Sequence, residues 1–497
     1  MSYRPMNLFY DSVNTEQYTK NIHVPIIMGS ESDLDLGKKI SSELKKYGVS
    51  SVIRICSAHK AAHTLTGILD RYKSMDIKCY ITIAGKSNAL SALIDGYVSV
   101  PVIACPPVTD VKMYDLFSST SMPSFIAPAV VLGYKNAALA AAKICGLSMP
   151  TVRESVEKLH QDNKMILHIS DVTNKYHVYD PLLNVYCQNM EKLLQEGAAK
   201  TSESLIYSGK VRDIYSRDDG NLDMTATDRL SAFDQHVTTI PFKGEIINRV
   251  SMWWFNATKD IIPNHFLDIS NSDPRTMTVK KCKVFPIEVI IRDYLTGSTE
   301  TSIWTNYQRG VRNYCGNPLP DGLVKNQQLP ETIVTPTTKG VTDELIDEKY
   351  ITDNVMTEEE WAYVRSKALQ LFKRGQEIVA KNGLILVDTK YEFGRDENGD
   401  IILVDELHTP DSSRFWIKHT YKKNLAQGKE PDNIDKEFLR KWLKKEYRER
   451  KAGQETYSHI NVAEMVTPDM VVETSKKYMQ LYELITGKEF MYYENMI

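Results

Sequence analysis

The first third of the chain alternates short apolar runs with segments of helical period. The runs VPIIMG, SVIRIC, CYITIAG and VPVIACPP are rich in β-branched residues and bounded by turn formers, as is typical of buried strands. After the first run, Leu36, Ile40 and Leu44 recur at helical spacing until Gly48 ends the pattern. This alternation predicts an α/β domain built on a doubly wound parallel sheet of the flavodoxin-like, three-layer type.

Four polar loops, GSESD, SAHK, GKSN and CPP, directly follow these predicted strands. Because open parallel sheets bind ligands beyond the carboxyl ends of their strands, we expect the loops to converge on one binding edge. Ser30, Ser32 and Asp33 lie at a helix start, where free N–H groups favour a phosphate. His59 follows the next strand. Each signal also has a structural interpretation, as a helix cap or as a solvated loop histidine.

Composition narrows the class of protein. The 497 residues are 42% hydrophobic and 25% charged, which is typical of a globular protein of roughly two to four domains. Residues 1–150 carry 15 Lys and Arg against 11 Asp and Glu, a bias that suits a small anionic ligand and not a nucleic-acid surface. Seven scattered cysteines, no long apolar run and no secretory core lead us to expect a soluble, cytoplasmic protein without membrane partners.

A predicted hairpin opens the second half of the chain. LIYSGKVRDIY and LDMTATD flank the turn SRDDGN, and strand alternation places Lys210 and Arg212 on one face. These two cations either cradle a triphosphate or face solvent. Further on, FPIEVIIRDYLTGS places Arg292 near the end of a buried strand and Ser298 on a loop. An arginine in that position fits recognition of a phosphate or carboxylate, or a surface ion pair.

A second predicted hairpin indicates a metal site. LILVDTKYEF and IILVDEL are joined by GRDENGD, and Asn398-Gly399 favours a two-residue type I′ turn. That turn would pair Glu392 with Asp405 and place Lys390 on the same face as Glu392. Like charges opposite each other in a sheet are destabilising, so two buried carboxylates would either have a raised pKa or require a cation. Carboxylates near phosphates suit magnesium. A longer loop would shift the register and leave both acids in solvent.

The motifs MGSESD, SAHK, AGKSNALSALIDG and CPP together resemble the phosphoribosylaminoimidazole carboxylase domain of purine synthesis, over about residues 22–165. SAHK and AGKSN are similar to the animal-type branch, which uses carbon dioxide directly, without biotin. The implied site residues are Ser30, Ser32, Asp33, Ser57 and Asn88 for substrate binding, and His59, Lys60 and Ser87 for catalysis. Two alternatives stay open: a mutase that acts on an N-carboxylated ribonucleotide, and a non-catalytic ligand-binding scaffold for an active ligase.

Five motifs of the second half, GKVRDIY, ATDRLSAFD, PIEVIIRDYLTGS, DTKYEFG and VDELHTPDSSRFW, resemble phosphoribosylaminoimidazole-succinocarboxamide synthetase over about residues 203–490. The resemblance implies an α+β ligase domain with a kinase-like ATP-binding antiparallel sheet. The implied residues are Gly209, Lys210 and Arg212 for ATP, Glu392 and Asp405 for magnesium, Arg292, Ser298 and Arg414 for the substrate phosphate, and Lys390, Ser231 and Asp234 near the reacting carboxylate and the amino acid.

Together the two resemblances imply a bifunctional enzyme of de novo purine biosynthesis, with residues 166–202 as a structured connector. The first domain would carboxylate aminoimidazole ribonucleotide, and the second would condense the product with L-aspartate. A carboxylate does not accept an amine at neutral pH, so ATP would first convert it to an acyl phosphate. Because carboxylase domains of that family assemble as octamers, we expect a homo-oligomer.

Overall fold

The protein divides into two compact units, Met1–Lys164 and Met165–Ile497. The computed structural model describes residues 22–107, 113–188, 204–232, 235–269, 273–340, 343–434, 439, 442–443, 445 and 465–491.

A parallel sheet forms the centre of the first unit. Its described strands are Val24–Met28 (β1), Ser51–Ile55 (β2), Tyr80–Ile83 (β3), Val102–Ala104 (β4) and Ala129–Val130 (β5). Their order is β2-β1-β3-β4-β5, and every described pair is parallel. The predicted doubly wound sheet is therefore confirmed. The pattern analysis missed β5, because two residues are too few to show an alternation.

Helices cover both faces of this sheet. They are Leu34–Lys46 (α1), Ala62–Tyr72 (α2), Ala89–Asp95 (α3), Met113–Thr120 (α4), Tyr134–Gly146 (α5) and the start of Pro150–Lys175 (α6). On one face Ile40 of α1 packs in a cluster with Ala138 and Ala141 of α5. On the other, Leu65 of α2 packs with Leu90 of α3. The two separate apolar clusters make the predicted three layers.

The second unit is built mainly on antiparallel sheets. A five-stranded sheet contains Leu205–Ser208 (β6), Arg212–Ser216 (β7), Leu222–Ala226 (β8), Phe266–Ile269 (β11) and Thr276–Val279 (β12). A separate pair joins Arg229–Ala232 (β9) to Gln235–Thr239 (β10). A seven-stranded sheet contains Lys283–Val284 (β13), Ile287–Tyr294 (β14), Gln328–Val334 (β17), Thr337–Thr338 (β18), Leu384–Arg395 (β19), Ile401–Val404 (β20) and Ser413–Ile417 (β21), and Asn313–Tyr314 (β15) pairs with Asn317–Pro318 (β16). The α+β class predicted for this half is confirmed.

The helices of the second unit close its core. They are Asp180–Gln188 (α7), Lys243–Thr258 (α8), Ile303–Gln308 (α9), Glu348–Asn354 (α10), Glu358–Lys381 (α11), Lys418–Ala426 (α12) and Pro468–Thr486 (α13). Helix α11 begins with a capping box, in which Thr357 and Glu360 satisfy each other's backbone N–H groups. Helix α13 is buried along most of its length. Across the described ranges, no helix combines the length and apolar character needed to cross a membrane.

The segment predicted as a connector contributes to the core of the second unit. The predicted helix over 151–165 continues to Lys175, and Ile169, Val172 and Leu183 are buried in the same cluster as the synthetase-like half. Apolar side chains at helical spacing, not a Gly/Ser tether, explain this packing. Residues 189–202 of the predicted connector lie outside the described residues.

The turn of the second predicted hairpin differs from the expectation and shifts the register by one residue. Glu392 lies opposite Val404, not opposite Asp405. The cause is Asp396, whose carboxylate accepts from the amides of Asn398 and Asp400 (both 3.0 Å). Three residues then form the loop, and only one of them takes a left-handed conformation: Gly399 has φ 87°. A type I′ turn would require two.

Candidate active sites

The loops that follow β1, β2 and β3 begin side by side at one edge of the first sheet. The amide of Gly29 donates to the carbonyl of Ile83 (3.0 Å), and the amide of Cys56 donates to the carbonyl of Met28 (2.8 Å). The strand order reverses beside β1, which is where open α/β sheets bind ligands. The predicted convergence of these loops is therefore confirmed.

Ser30, Ser32 and Asp33 form a polar cluster on the first of these loops. Ser30 caps the turn Glu31–Asp33 by accepting from the amide of Ser32 (3.3 Å). The hydroxyl of Ser32 donates to Ser30 Oγ (2.9 Å) and to Asp33 Oδ1 (3.4 Å). Both serines are exposed, and burial raises the pKa of Asp33. The three residues are thus together and open to a ligand, while Ser30 also serves as the cap.

The second loop exposes the predicted catalytic histidine. Ser57 Oγ accepts from the amide of Lys60 (3.3 Å), which makes SAHK a tight turn. The side chains of His59 and Lys60 both lie in solvent. The loop therefore presents an imidazole and an amine to solvent beyond the end of β2.

The third loop divides its predicted residues between two environments. Ser87 is exposed, whereas Asn88 is buried and caps α3 through Oδ1, which accepts from the amide of Ser91 (3.2 Å). The side-chain nitrogen Nδ2 of Asn88 donates to Ser119 Oγ of α4 (2.9 Å). Asn88 therefore fixes the loop, and its side chain is already hydrogen-bonded on both sides.

In the second unit, β6 ends at Ser208 and β7 begins at Arg212, with a turn between them. The sequence pattern had predicted one continuous strand through Lys210. The amide of Gly209 donates to the carbonyl of Arg212 (2.8 Å). A Cβ at Gly209 would lie 2.9 Å from the ring of Tyr207 and 3.2 Å from the carbonyl oxygen of Arg212, so a side chain there would require its neighbours to move. The turn separates the two predicted cations: Lys210 is exposed and Arg212 is buried.

Arg212 joins two neighbouring carboxylates beyond the end of β20. Its guanidinium donates to Asp405 Oδ1 (3.1 Å) and to Glu406 Oε2 (2.8 Å). Burial would lower the pKa of Arg212, but these carboxylates hold it above its ordinary value. Asp405 has φ 67°, a left-handed conformation uncommon for a residue with a side chain. This backbone turn brings Asp405 to Arg212 despite the shifted register.

Lys390 and Glu392 lie in a second cluster of charges on β19. Lys390 Nζ lies 2.7 Å from Glu288 Oε1 and 3.3 Å from Glu392 Oε1, and Lys339 contacts the other oxygen of Glu392. Burial would lower the pKa of Lys390, yet nearby carboxylates hold it above its ordinary value. They belong to Glu392, Glu288 and Asp405, so Lys390 lies within the field of both predicted metal ligands.

The donor set of Glu392 and Asp405 fits magnesium, which prefers a few carboxylate oxygens and retains several waters. Glu392 is 4% exposed and forms ion pairs with Lys339 and Lys390, so a divalent ion would take over part of the positive charge they supply. Within the described residues, no group of three or more His, Cys, Asp or Glu side chains is arranged to hold a metal. The two acids could therefore hold a magnesium ion that also has phosphate ligands.

Asp388 holds two predicted phosphate-binding arginines together. Arg292 Nη1 lies 3.2 Å from Asp388 Oδ2, which also contacts Arg414 Nη1. Arg292 is further fixed by Thr335 Oγ1 (2.9 Å). Ser298 is exposed on the loop after β14. Asp388 thus brings two guanidinium groups together, of which that of Arg292 is buried and that of Arg414 is half-buried.

The predicted amino-acid subsite is only partly described. Ser231 lies half-buried on β9, and Asp234 lies outside the described residues. Sequence reasoning missed Glu288, Lys339 and Glu406, which are the partners of predicted residues. Alternation along one strand cannot identify them, because each comes from a different strand or loop.

Two known protein families match consecutive parts of this chain. Residues 205–457 match the family model described as SAICAR synthetase, and residues 23–165 match the model described as AIR carboxylase. A phosphoribosylaminoimidazole-succinocarboxamide synthase of Legionella pneumophila is 47% identical over 296 residues, which cover 58% of this chain and 90% of that protein. A chloroplastic synthase of Vigna aconitifolia is 52% identical over 238 residues, covering 48% of this chain and 69% of that protein.

A solved structure is also similar. The SAICAR synthase of Saccharomyces cerevisiae, complexed with SAICAR, is 34% identical, covers 59% of this chain and 98% of that structure, and has a TM-score of 0.50. Fold and site define a purine-biosynthesis enzyme in which a carboxylase domain precedes an ATP-binding, ATP-dependent ligase domain. The chain belongs to the SAICAR synthetase family, with an AIR carboxylase domain fused in front. Both resemblances inferred from the motifs are confirmed to that level, and purine intermediates are the substrates.

Proposed function

We propose that the first unit adds carbon dioxide directly to aminoimidazole ribonucleotide and that the second unit joins the product to L-aspartate at the expense of ATP. The product of the first reaction is the carboxylate that the second must activate, so one chain would supply its own intermediate. The proposal for the first unit rests on SAHK and AGKSN, the loop sequences similar to the animal-type branch.

In the first unit, the ring carbon of the substrate forms a bond to carbon dioxide and then loses its proton. His59 is the proposed acceptor of that proton, because an imidazole exchanges protons near neutral pH. Lys60 and Ser87 would hold the new carboxylate, while Ser30, Ser32, Asp33 and Ser57 would hold the ribose phosphate and hydroxyls. Asn88 would act through the loop that it fixes (2.9 Å to Ser119).

In the second unit, a carboxylate oxygen of the substrate attacks the γ-phosphorus of ATP, and the bond to ADP breaks. Gly209 and Lys210 would lie against the ATP phosphates, and Arg212 would orient Asp405 toward them (3.1 Å). Glu392 and Asp405 would hold Mg²⁺, which supplies positive charge for the phosphates when bound. The amine of aspartate then forms a bond to the acyl carbon, and phosphate leaves with its electron pair.

The remaining residues position the other reactants. Arg292, Ser298 and Arg414 would bind the ribose phosphate, with Asp388 in contact with both arginines. Lys390 would face the reacting carboxylate, and Ser231 and Asp234 would lie near the incoming amino acid. The single observation that carries the proposal is that each carboxylate lies beside a cation: Glu392 is 3.3 Å from Lys390, and Asp405 is 3.1 Å from Arg212.

A coupled assay tests the two activities. Aminoimidazole ribonucleotide, bicarbonate, L-aspartate and MgATP should together yield the succinocarboxamide product, and leaving out one component at a time assigns each step. Carboxylation should proceed with bicarbonate and no ATP. Turnover that occurs only when the N-carboxylated ribonucleotide is supplied would instead favour the mutase alternative, and absence of carboxylation would favour the scaffold alternative.

A matched pair of variants tests the metal site. Glu392→Gln removes a buried charge and is expected to lower synthetase kcat by about 10²- to 10³-fold, the usual effect of losing one transition-state electrostatic contact. Glu397→Gln makes the same change on the exposed turn of the same hairpin and should have no effect. Calorimetric titration of MgADP should show weaker binding only for Glu392→Gln; equal binding by both variants would remove Glu392 from the site.

We also propose domain bounds, an oligomeric state and a cellular location for this chain. We place the carboxylase domain at residues 22–165, the connector at 166–202 and the synthetase domain at 203–490. A homo-oligomer, with an octamer as the expected form, follows from the carboxylase family. A cytoplasmic location is supported by the cysteines, all seven of which fall within the described residues as free thiols. Size-exclusion chromatography with light scattering tests the oligomer.

A further inference from the structure

The segment 405–414, which follows β20, has an unusual backbone for residues with side chains. Asp405 has φ 67° and His408 has φ 46°, both in the left-handed region. Such conformations persist only where the surrounding contacts determine them. The segment carries Asp405 at its start and Arg414 at its end, so its shape fixes two proposed site residues at once.

Asp411, in the middle of this segment, is held by two buried side chains from distant helices. Lys243 Nζ of α8 lies 2.8 Å from Asp411 Oδ2, and the hydroxyl of Tyr478 of α13 donates to Asp411 Oδ1 (2.5 Å). Lys243 and Tyr478 are both 0% exposed, and the side chain of Asp411 is 3% exposed. These three residues are named here the Asp411 anchor.

A continuous series of hydrogen bonds leads from the anchor to the proposed metal ligand. The amide of Asp411 donates to Thr409 Oγ1 (3.2 Å), and that hydroxyl donates to Glu406 Oε2 (2.6 Å). The same oxygen of Glu406 accepts from Arg212, which also donates to Asp405. A shift of Asp411 would therefore be passed through fixed contacts to Asp405.

A buried ion pair is a poor source of stability, because the loss of hydration offsets much of the attraction. An apolar pair of similar volume would hold α8 against the segment as well. What the polar contacts add is position: the Asp411 carboxylate accepts a directional hydrogen bond from Tyr478 (2.5 Å) while its other oxygen lies against the Lys243 ammonium (2.8 Å). The anchor thus determines where the segment lies, more than how tightly the unit is folded.

We propose that Lys243 and Tyr478 are positioning residues for the ligase reaction, acting through Asp411 on the location of Asp405. Neither touches a reactant. The inference rests on the proposed role of Asp405 in holding Mg²⁺ with the nucleotide.

Tyr478→Phe is the direct test, since it removes one hydrogen bond and leaves the ion pair with Lys243. We expect MgADP to bind about fivefold more weakly, the loss typical of one hydrogen bond to a charged group that is partly compensated. The KM for MgATP should rise by a similar factor with kcat nearly unchanged, and hydrogen–deuterium exchange should quicken in peptides covering 405–414. Tyr482→Phe is the matched control, because Tyr482 lies one turn further along α13 and packs against Phe490.

A double variant tests the contribution of Lys243 without leaving a buried, unpaired charge. Lys243→Met alone leaves the Asp411 carboxylate buried without its cation and is expected to unfold the unit. Lys243→Met combined with Asp411→Asn removes both charges, so it should fold and show the same faster exchange and weaker MgADP binding.

Two results would overturn the proposal: unchanged exchange in 405–414, or unchanged MgADP affinity, in Tyr478→Phe protein that has merely a lower melting temperature. Failure of the proposed metal site looks different. In that case Glu392→Gln binds MgADP like the wild type, while amide exchange in 405–414 still reports whether Tyr478 positions the segment.

Discussion

The two candidate sites of this chain are built in opposite ways. In the first unit, His59, Lys60 and Ser87 are exposed on loops that follow parallel strands, and their positions depend on the order of the strands. In the second unit, Arg212 is 7% exposed and Glu392 is 4% exposed, and each is fixed by oppositely charged side chains from another strand or loop.

This difference has a consequence for how each site tolerates change. A loop residue that contacts mainly solvent can be replaced with little cost in folding, so its role appears in activity alone. A buried charge has partners that lose their compensation when it is removed, so activity and stability change together. Variants at the first site should therefore change activity alone, and variants at the second site should change both activity and stability.

The largest expected effect is on the exposed site. His59→Ala should lower carboxylase turnover by about 10²- to 10⁴-fold, because a general acid–base group contributes that much. The free energy of unfolding should change by less than about 0.5 kcal/mol, since the side chain is exposed. Synthetase activity, measured on the carboxylated substrate in the same preparation, should be unaffected.

His63→Ala is the matched control for this experiment. His63 lies four residues further on, in α2, and is also exposed. It should keep full carboxylase turnover. If His59→Ala keeps it too, the proton transfer belongs to another residue.

Acid should distinguish the two units by an effect on stability. Burial lowers the pKa of His265 to about 4 and that of His408 to about 3. Below the ordinary pKa of 6.5 the unfolded chain takes up protons that the folded unit does not. The stability that these residues contribute is therefore complete above pH 6.5 and is lost as pH falls toward 4. Each should cost the second unit about 2 kcal/mol between pH 6.5 and 5.

Tryptophan fluorescence makes this measurement specific to one unit. All six tryptophans lie between residues 253 and 442, so their emission reports unfolding of the second unit alone. The urea midpoint of unfolding should be lower at pH 5 than at pH 7.5. Because His265 accounts for about one of the protons that the chain takes up on unfolding, His265→Gln should show a smaller decrease. An identical pH dependence in His265→Gln would show that the histidine is not buried in its neutral form.

The same contrast explains what the sequence could and could not predict. Alternation of apolar runs and helical segments indicates the topology. The sequence pattern therefore predicted the order of elements in the first unit and the convergence of its loops. The second site depends on pairing between strands. That pairing is set by the hydrogen bonds of Asp396 in a turn and by the left-handed backbone of Asp405. Neither has a signature in the hydrophobic pattern.

Partners of predicted residues were beyond reach for a related reason. The period of two placed Lys390 and Glu392 on one face of β19, and the contact between them (3.3 Å) confirms it. It carried no information on Glu288 or Lys339, which reach the same face from elsewhere in the chain. Asn88 is the converse case: the motif made it a candidate for substrate binding but did not predict that it caps a helix.

The smallest expected effect tests the register directly. Asp396 pairs with Asp400 across three loop residues, so deleting Glu397 would leave Asn398-Gly399 as a two-residue turn between the same pair. Because this turn fits type I′ geometry, the strands should keep their register and Glu392 should stay opposite Val404. Synthetase kcat/KM should then change by less than about twofold. Deleting Ile401, in β20, would also remove one residue but would move Asp405 to the other face. That control should lose most activity, and a similar loss on deletion of Glu397 would contradict the register.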